Sequence, residues 1–185
     1  YEVSTRDWSS DVCSSDLGNT TMNAMNTEQA RFNMIEQQIR PWDVLDDRVL
    51  ATLSSTARED FVPEQYRALA FSDISVPLAH GQAMMPPKLE GKLLQSLTIH
   101  PSDSILEIGT GSGYLTACLA KLGGSVHSLD LYADFIEQAR TRLEQHAIKN
   151  ATFEQGDAAT GWKSDSRFDV IAVTGSLPVL HHGFH

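Results

Sequence analysis

The sequence predicts an α/β protein, a mostly parallel sheet preceded by a helical N-terminal extension. Two observations carry that expectation. From Ser104 onward, short apolar runs of strand character alternate with patterns of helical period, as βαβ units require. Before Ser104, apolar residues recur at helical spacings on either side of a stretch rich in proline and glycine, so helices and loops come first.

The elements follow in order. Residues 1–21 are crowded with Ser, Asp and Thr and show no period, so they can bury no face and read as a non-native or disordered tail. The run RDWSSDVCSSDL within them resembles the translated read-through of a sequencing adapter. The helical extension and a substrate loop are expected over 22–100, the α/β core over 101–180 and a frayed end over 181–185. Phe32, Ile35 and Ile39 predict one face of a helix from Glu28 to Arg40, ended by Pro41. Asp46 or Asp47 caps a second helix that buries Val49, Leu50 and Leu53. Loops and short strands are expected from Phe61 to Pro87, and Leu89, Leu93 and Leu97, with Leu94 beside them, then predict a third helix. In the core, strands are expected near Ile105–Ile108, Val126–Leu131, Ala151–Glu154 and Asp169–Thr174. The helices between them carry Tyr114, Leu115, Cys118, Leu119 and Leu122, then Phe135, Ile136, Ala139 and Leu143.

Composition limits the function. The chain has 185 residues, one domain or one domain with an appendage by the usual size, and 41% hydrophobic residues, enough for a buried core. Its 14 Lys and Arg stand against 24 Asp and Glu, and the net charge of −10 repels nucleic acid and anionic membrane surfaces. No apolar run is long enough to span a bilayer, and the chain reads as cytoplasmic. Outside the tail Cys118 stands alone, which gives no basis for a disulfide framework or a metal knuckle. His181, His182 and His185 lack a nearby carboxylate or thiol, so no metal site is expected.

Chemistry gathers at the first βα turn, Glu107-Ile108-Gly109-Thr110-Gly111-Ser112-Gly113-Tyr114. Glycines there either shape a tight turn or let backbone approach a small molecule at a helix N-terminus. The dinucleotide fingerprint would put its third glycine where Tyr114 stands, which disfavours a pyrophosphate ligand. Asp130 ends the second strand about 20 residues after the first glycine, where a carboxylate can accept both ribose hydroxyls. Gly156-Asp157 closes the third strand. All these groups fall at the carboxyl edge of the sheet, where open α/β sheets bind ligands.

The text LEIGTGSGY, then SLD, GDA and FDVIAVTGS, resembles Rossmann-like S-adenosylmethionine-dependent methyltransferases, with a doubly wound sheet. Upstream, REDFVP and AFSDISVPLAHGQ are similar to the protein-L-isoaspartate O-methyltransferase family. The resemblance implies S-adenosyl-L-methionine as cofactor and a protein or peptide bearing an isoaspartyl residue as substrate. It implies that Glu107, Gly109, Gly111 and Gly113 surround the methionine part, that Asp130 holds the ribose, and that Asp157 with Ala158 holds the adenine. It also implies strands after the fourth that this sequence does not contain, hence a sheet incomplete on its C-terminal side. Where the family has Thr-Ile-Ser-x-Pro after Gly-Gln, this chain has Ala83-Met84-Met85-Pro86-Pro87, with both hydroxyls gone. That departure leaves open a different acceptor or a non-catalytic cofactor-binding module.

A carboxylate acceptor is ionised at neutral pH and needs no general base, only alignment and exclusion of water. Gln82, Thr174 and Ser176, with Lys88, are the candidates for orienting it, and His80 is the candidate base for a hydroxyl or amine acceptor. Met84 and Met85 are expected either to form an apolar wall at the acceptor or to pack in the core.

Overall fold

The computed structural model describes residues 26–158 and 167–175. Ser176, the tail and the C-terminal histidines lie outside the described residues. Residues 26–34 form α1, which runs on through a π turn at Ile35–Ile39 and a 3-10 turn at Arg40–Trp42. The wide turn shifts the phase of the apolar stripe. Ile35 and Ile39 are buried as expected, but Met34 joins them and Phe32 is turned outward, 58% exposed.

The second helix, α2, spans Asp47–Ser55, and Asp46 caps it by accepting hydrogen bonds from the backbone N–H groups of Arg48 and Val49. Its buried face holds Val49, Leu50 and Leu53. Helix α3 spans Pro87–Ser96; Leu94 is buried and Leu93 and Leu97 pack partly against the core as expected, but Pro87, Glu90 and Gly91 also face inward and Leu89 is exposed. Two causes set this rotation. Glu90 pairs with the fully buried Arg58, and a β-carbon on Gly91 would lie 3.0 Å from the Ile39 side chain, so the helix packs close along that line. Between α2 and α3, strands β1 (Val76–Pro77) and β2 (Ala83–Met84) form a short antiparallel hairpin, Val76 opposite Met84 and Pro77 opposite Ala83.

The core begins with β3 (Ser104–Ile108), followed by α4 (Tyr114–Leu122), β4 (Ser125–Asp130), α5 (Ala133–Gln145), β5 (Ala151–Gln155) and β6 (Val170–Val173). The four strands are parallel in the order β5-β4-β3-β6. The chain thus builds outward from β3 in one direction and returns to its other side with β6, and such a reversal opens a crevice at the carboxyl ends of β3 and β6. One face of the sheet packs Ile105 and Val126 against α4 and the N-terminal helices. The other buries Leu106, Ile108, Leu129 and Ala158 against Phe168 and Val173. Among the described residues no helix is long and apolar enough to cross a membrane, and no group of three or more His, Cys, Asp or Glu is placed to hold a metal ion.

Candidate functional site

The carboxyl ends of the four parallel strands open into a cleft of about 380 Å³, within the range of small-molecule sites. Gly109 and Gly111 after β3, Asp130 ending β4, Asp157 and Ala158 after β5, and Thr174 and Gly175 after β6 line it; Gln82 and Ala83 of the hairpin stand on its rim. Groups distant in the sequence are therefore brought together as the pattern predicted.

The three glycines of the loop do different work. Gly109, at φ +106°, packs directly on the backbone of Gly175 and admits no β-carbon. Gly113, at φ +82°, precedes α4, and a β-carbon there would lie 2.8 Å from that of Ala139; it joins α4 to α5 and does not line the cleft. Gly111, at φ +51°, is different: a β-carbon would meet only Leu78, at 3.6 Å. Of the three, it is the one whose missing side chain leaves room within the cleft.

Asp130 fixes this loop. One carboxylate oxygen accepts from the Gly111 N–H at 2.9 Å and the other from the Tyr132 N–H at 3.0 Å, so the side chain ties the glycine loop to the turn after β4. It remains at the cleft wall with lone pairs to offer.

Glu107 is fully buried beneath the loop rather than in the cleft. Its Oε2 accepts from the hydroxyls of Ser128 at 2.6 Å and Thr116 at 2.5 Å. Because the Ser128 hydrogen is used there, the Thr110 hydroxyl, 2.6 Å away, must donate to Ser128. Burial pushes the Glu107 carboxyl up to about 7, the two hydroxyls pull it down, and the nearby charge of Asp130 adds to the rise. Its Oε1 meets no hydrogen-bond partner among the described residues.

The acceptor candidates separate. Gln82 donates one amide N–H to the His80 carbonyl at 3.2 Å and has a second to offer. Thr174 lines the cleft, but its hydroxyl hydrogen is directed at the carbonyls of Ile108 at 3.0 Å and Gly109 at 2.7 Å, so it braces the loop and has no hydrogen left for an acceptor carboxylate. Ser176 lies outside the described residues. Lys88 is not at the cleft; it pairs with Asp73 at 2.6 Å and sits over the Trp42 ring at 4.4 Å. Met84 is buried in the hairpin core, Met85 packs partly against the same core, and neither lines the cleft. Core packing is thus what the two methionines do here, and of the two positions that lack the family's hydroxyls, Ala83 lines the cleft and Met85 does not. His80 turns its Nε2 to both carboxylate oxygens of Asp134, 3.0 Å from each.

Sequence reasoning missed Arg58 and Glu90. The Arg58 guanidinium bonds both Glu90 oxygens at 3.0 and 3.2 Å, and donates to the carbonyls of Ala70 and Met85 at 2.9 and 2.6 Å. Burial raises the Glu90 carboxyl, against the pull of Arg58. The pair anchors the strand that follows Gln82. Its trace in the sequence was Glu90 on the same helical face as Leu94, a charge in an otherwise apolar line.

With this geometry the comparisons with known proteins agree. The sequence matches the family described as protein-L-isoaspartate(D-aspartate) O-methyltransferase over residues 29–182. It is 37% identical over 147 residues to a protein-L-isoaspartate O-methyltransferase of Protochlamydia amoebophila, covering 80% of this chain and 70% of the relative. A relative of the same name in Brucella anthropi is 33% identical over 155 residues, covering 84% and 71%. A solved protein-L-isoaspartate O-methyltransferase superposes with a TM-score of 0.70 at 22% identity, covering 85% of this chain and half of that one. A second, from Plasmodium falciparum and described as a complex with S-adenosyl-L-homocysteine, gives 0.68 at 21% identity, covering 83% and 75%.

Proposed function

The chain belongs to the protein-L-isoaspartate(D-aspartate) O-methyltransferase family, and from that premise we propose that it methylates the free carboxylate of isoaspartyl residues in proteins or peptides, with S-adenosyl-L-methionine as donor. One observation carries the reading: Gly111, Asp130, Asp157 and Ala158 line one cleft whose rim holds Gln82. The residues fit a sulfonium nucleoside. Gly111 leaves the approach clear of any side chain, and Asp130 presents an acceptor-only carboxylate suited to a ribose diol. Asp157 and Ala158 stand at the next strand end, polar beside apolar, as the edge and face of a purine require. The related protein in complex with S-adenosyl-L-homocysteine supports the same ligand class.

When bound, the cofactor supplies an electrophilic methyl on positively charged sulfur. This chain has to do less than most enzymes. The acceptor carboxylate, with a reference pKa near 4, is ionised at pH 7, so no proton need be removed. Gln82, on the hairpin side of the cleft, offers an N–H to one acceptor oxygen. Alignment of this kind is worth several kcal/mol of barrier, up to about 7–11 in well-oriented systems. Thr174 and Glu107 act at one remove, by fixing the glycine loop.

Transfer of labelled methyl from S-adenosyl-L-methionine to a peptide with one isoaspartyl residue tests the reading. Label should appear as a base-labile ester and be absent with the aspartyl peptide. Equal labelling of both peptides, or of neither, would overturn it.

A further inference from the structure

His80 occupies an unusual place. Residues Ala79, His80, Gly81 and Gln82 make the turn of the β1–β2 hairpin, closed by the Gln82 N–H donating to the Ala79 carbonyl at 3.0 Å. Both central residues have positive φ, 56° at His80 and 67° at Gly81, as a type I′ turn demands. Glycine or asparagine is preferred at the first of these positions, and another residue persists there when its surroundings hold it.

The surroundings are specific. The imidazole lies flat on the Tyr132 ring, centroids 3.9 Å apart and planes 2° from parallel, and meets Phe135 edge-on at 5.5 Å. Its Nε2 is 3.0 Å from each Asp134 oxygen. Tyr132 and Phe135 line the cleft from the β4 side, while Leu78, Gln82 and Ala83, either side of His80, line it from the hairpin. A single side chain thus spans the two walls of the cleft. Tyr132 is in turn held to Asp130 through its backbone N–H.

We propose that His80 is a positioning residue that latches the β1–β2 hairpin onto Tyr132 and Asp134, holding the Gln82 amide over the cleft for the acceptor carboxylate. The assignment gives His80 a task other than proton transfer, since the ring nitrogen nearest a partner is directed at Asp134. It rests on the proposed methyl transfer for its kinetic consequence, but the latch itself is a physical contact that can be measured without turnover.

The test uses His80→Asn, because asparagine suits the turn and removes the stacked ring, with Asp134→Asn and the double variant. Amide hydrogen exchange of Leu78 and Gln82, both hydrogen-bonded within the turn, should quicken roughly tenfold in His80→Asn. In kinetics at saturating S-adenosyl-L-methionine, KM for an isoaspartyl peptide should rise roughly tenfold, the size expected from one aromatic stack and one hydrogen bond to a carboxylate. The double variant should be no worse than His80→Asn alone. If His80 served only the turn, His80→Asn would leave exchange and KM as they are, which would overturn the proposal, as would multiplying effects in the double variant. A wild-type chain that methylates no isoaspartyl peptide would instead sink the proposed function, and the exchange comparison would still decide the latch.

Discussion

Gly109 and Gly175 touch backbone to backbone: a β-carbon on Gly109 would stand 2.4 Å from the Gly175 nitrogen and 2.7 Å from its Cα. The loops after β3 and β6 therefore interlock, and the Gly175 and Thr174 N–H groups both reach the Ile108 carbonyl, at 2.7 and 2.9 Å. Gly109→Ala must part these loops as well as strain the backbone, so it should cost about 3 kcal/mol or more of stability. Gly111→Ala, whose β-carbon would meet only Leu78 in ordinary contact, should cost only about 1 kcal/mol, yet weaken S-adenosyl-L-homocysteine binding tenfold or more. Urea denaturation beside a binding titration separates the two; equal destabilisation would contradict the different roles given to these glycines.

The buried Arg58 and Glu90 pair should behave as a unit. Arg58→Met leaves Glu90 in the core without its cation, a loss of about 3–5 kcal/mol. The double variant Arg58→Met/Glu90→Leu removes the stranded carboxyl and should recover at least half of that loss. Equilibrium unfolding of both proteins decides it, and a double variant as unstable as the single one would show that the pair is not the source of the cost.

Glu107 predicts a pH dependence. Its carboxyl is raised from 4.5 to about 7 in the folded chain, so between those values the folded state holds more proton than the unfolded one. The associated stability is complete below pH 4.5 and fades as pH rises through 7. Glu107→Gln cannot ionise. The stability difference between wild type and Glu107→Gln should therefore fall by on the order of 2–3 kcal/mol from pH 5 to pH 8. A pH-independent difference would refute the assignment.

What the sequence made legible was local. Asp46 and the residues Val49, Leu50 and Leu53 lie within one helix, and cap and stripe were both as expected. The glycine loop and Asp130 are tied to strand ends by position, so their meeting at the cleft followed from the βαβ order. Within the leucine pattern of α3 only Leu89 is turned outward, because the rotation of the helix is set by Arg58, 32 residues before Glu90. Phe32 was misplaced because a π turn has no simple sequence signal. Thr174 and Lys88 have the right chemistry for an acceptor site, yet their polar atoms are engaged with Ile108, Gly109 and Asp73. Side-chain partnerships across the chain, such as His80 with Asp134, 54 residues apart, do not appear in periodicity.

Asp130 is the most direct point of attack on the whole account. Titrating S-adenosyl-L-homocysteine calorimetrically into the wild-type chain and into Asp130→Ala should give saturable one-to-one binding in the first. In the second, the loss of a charged hydrogen-bonding group should weaken binding about a hundredfold. Binding of undiminished strength by Asp130→Ala, or no binding by the wild type, would contradict it.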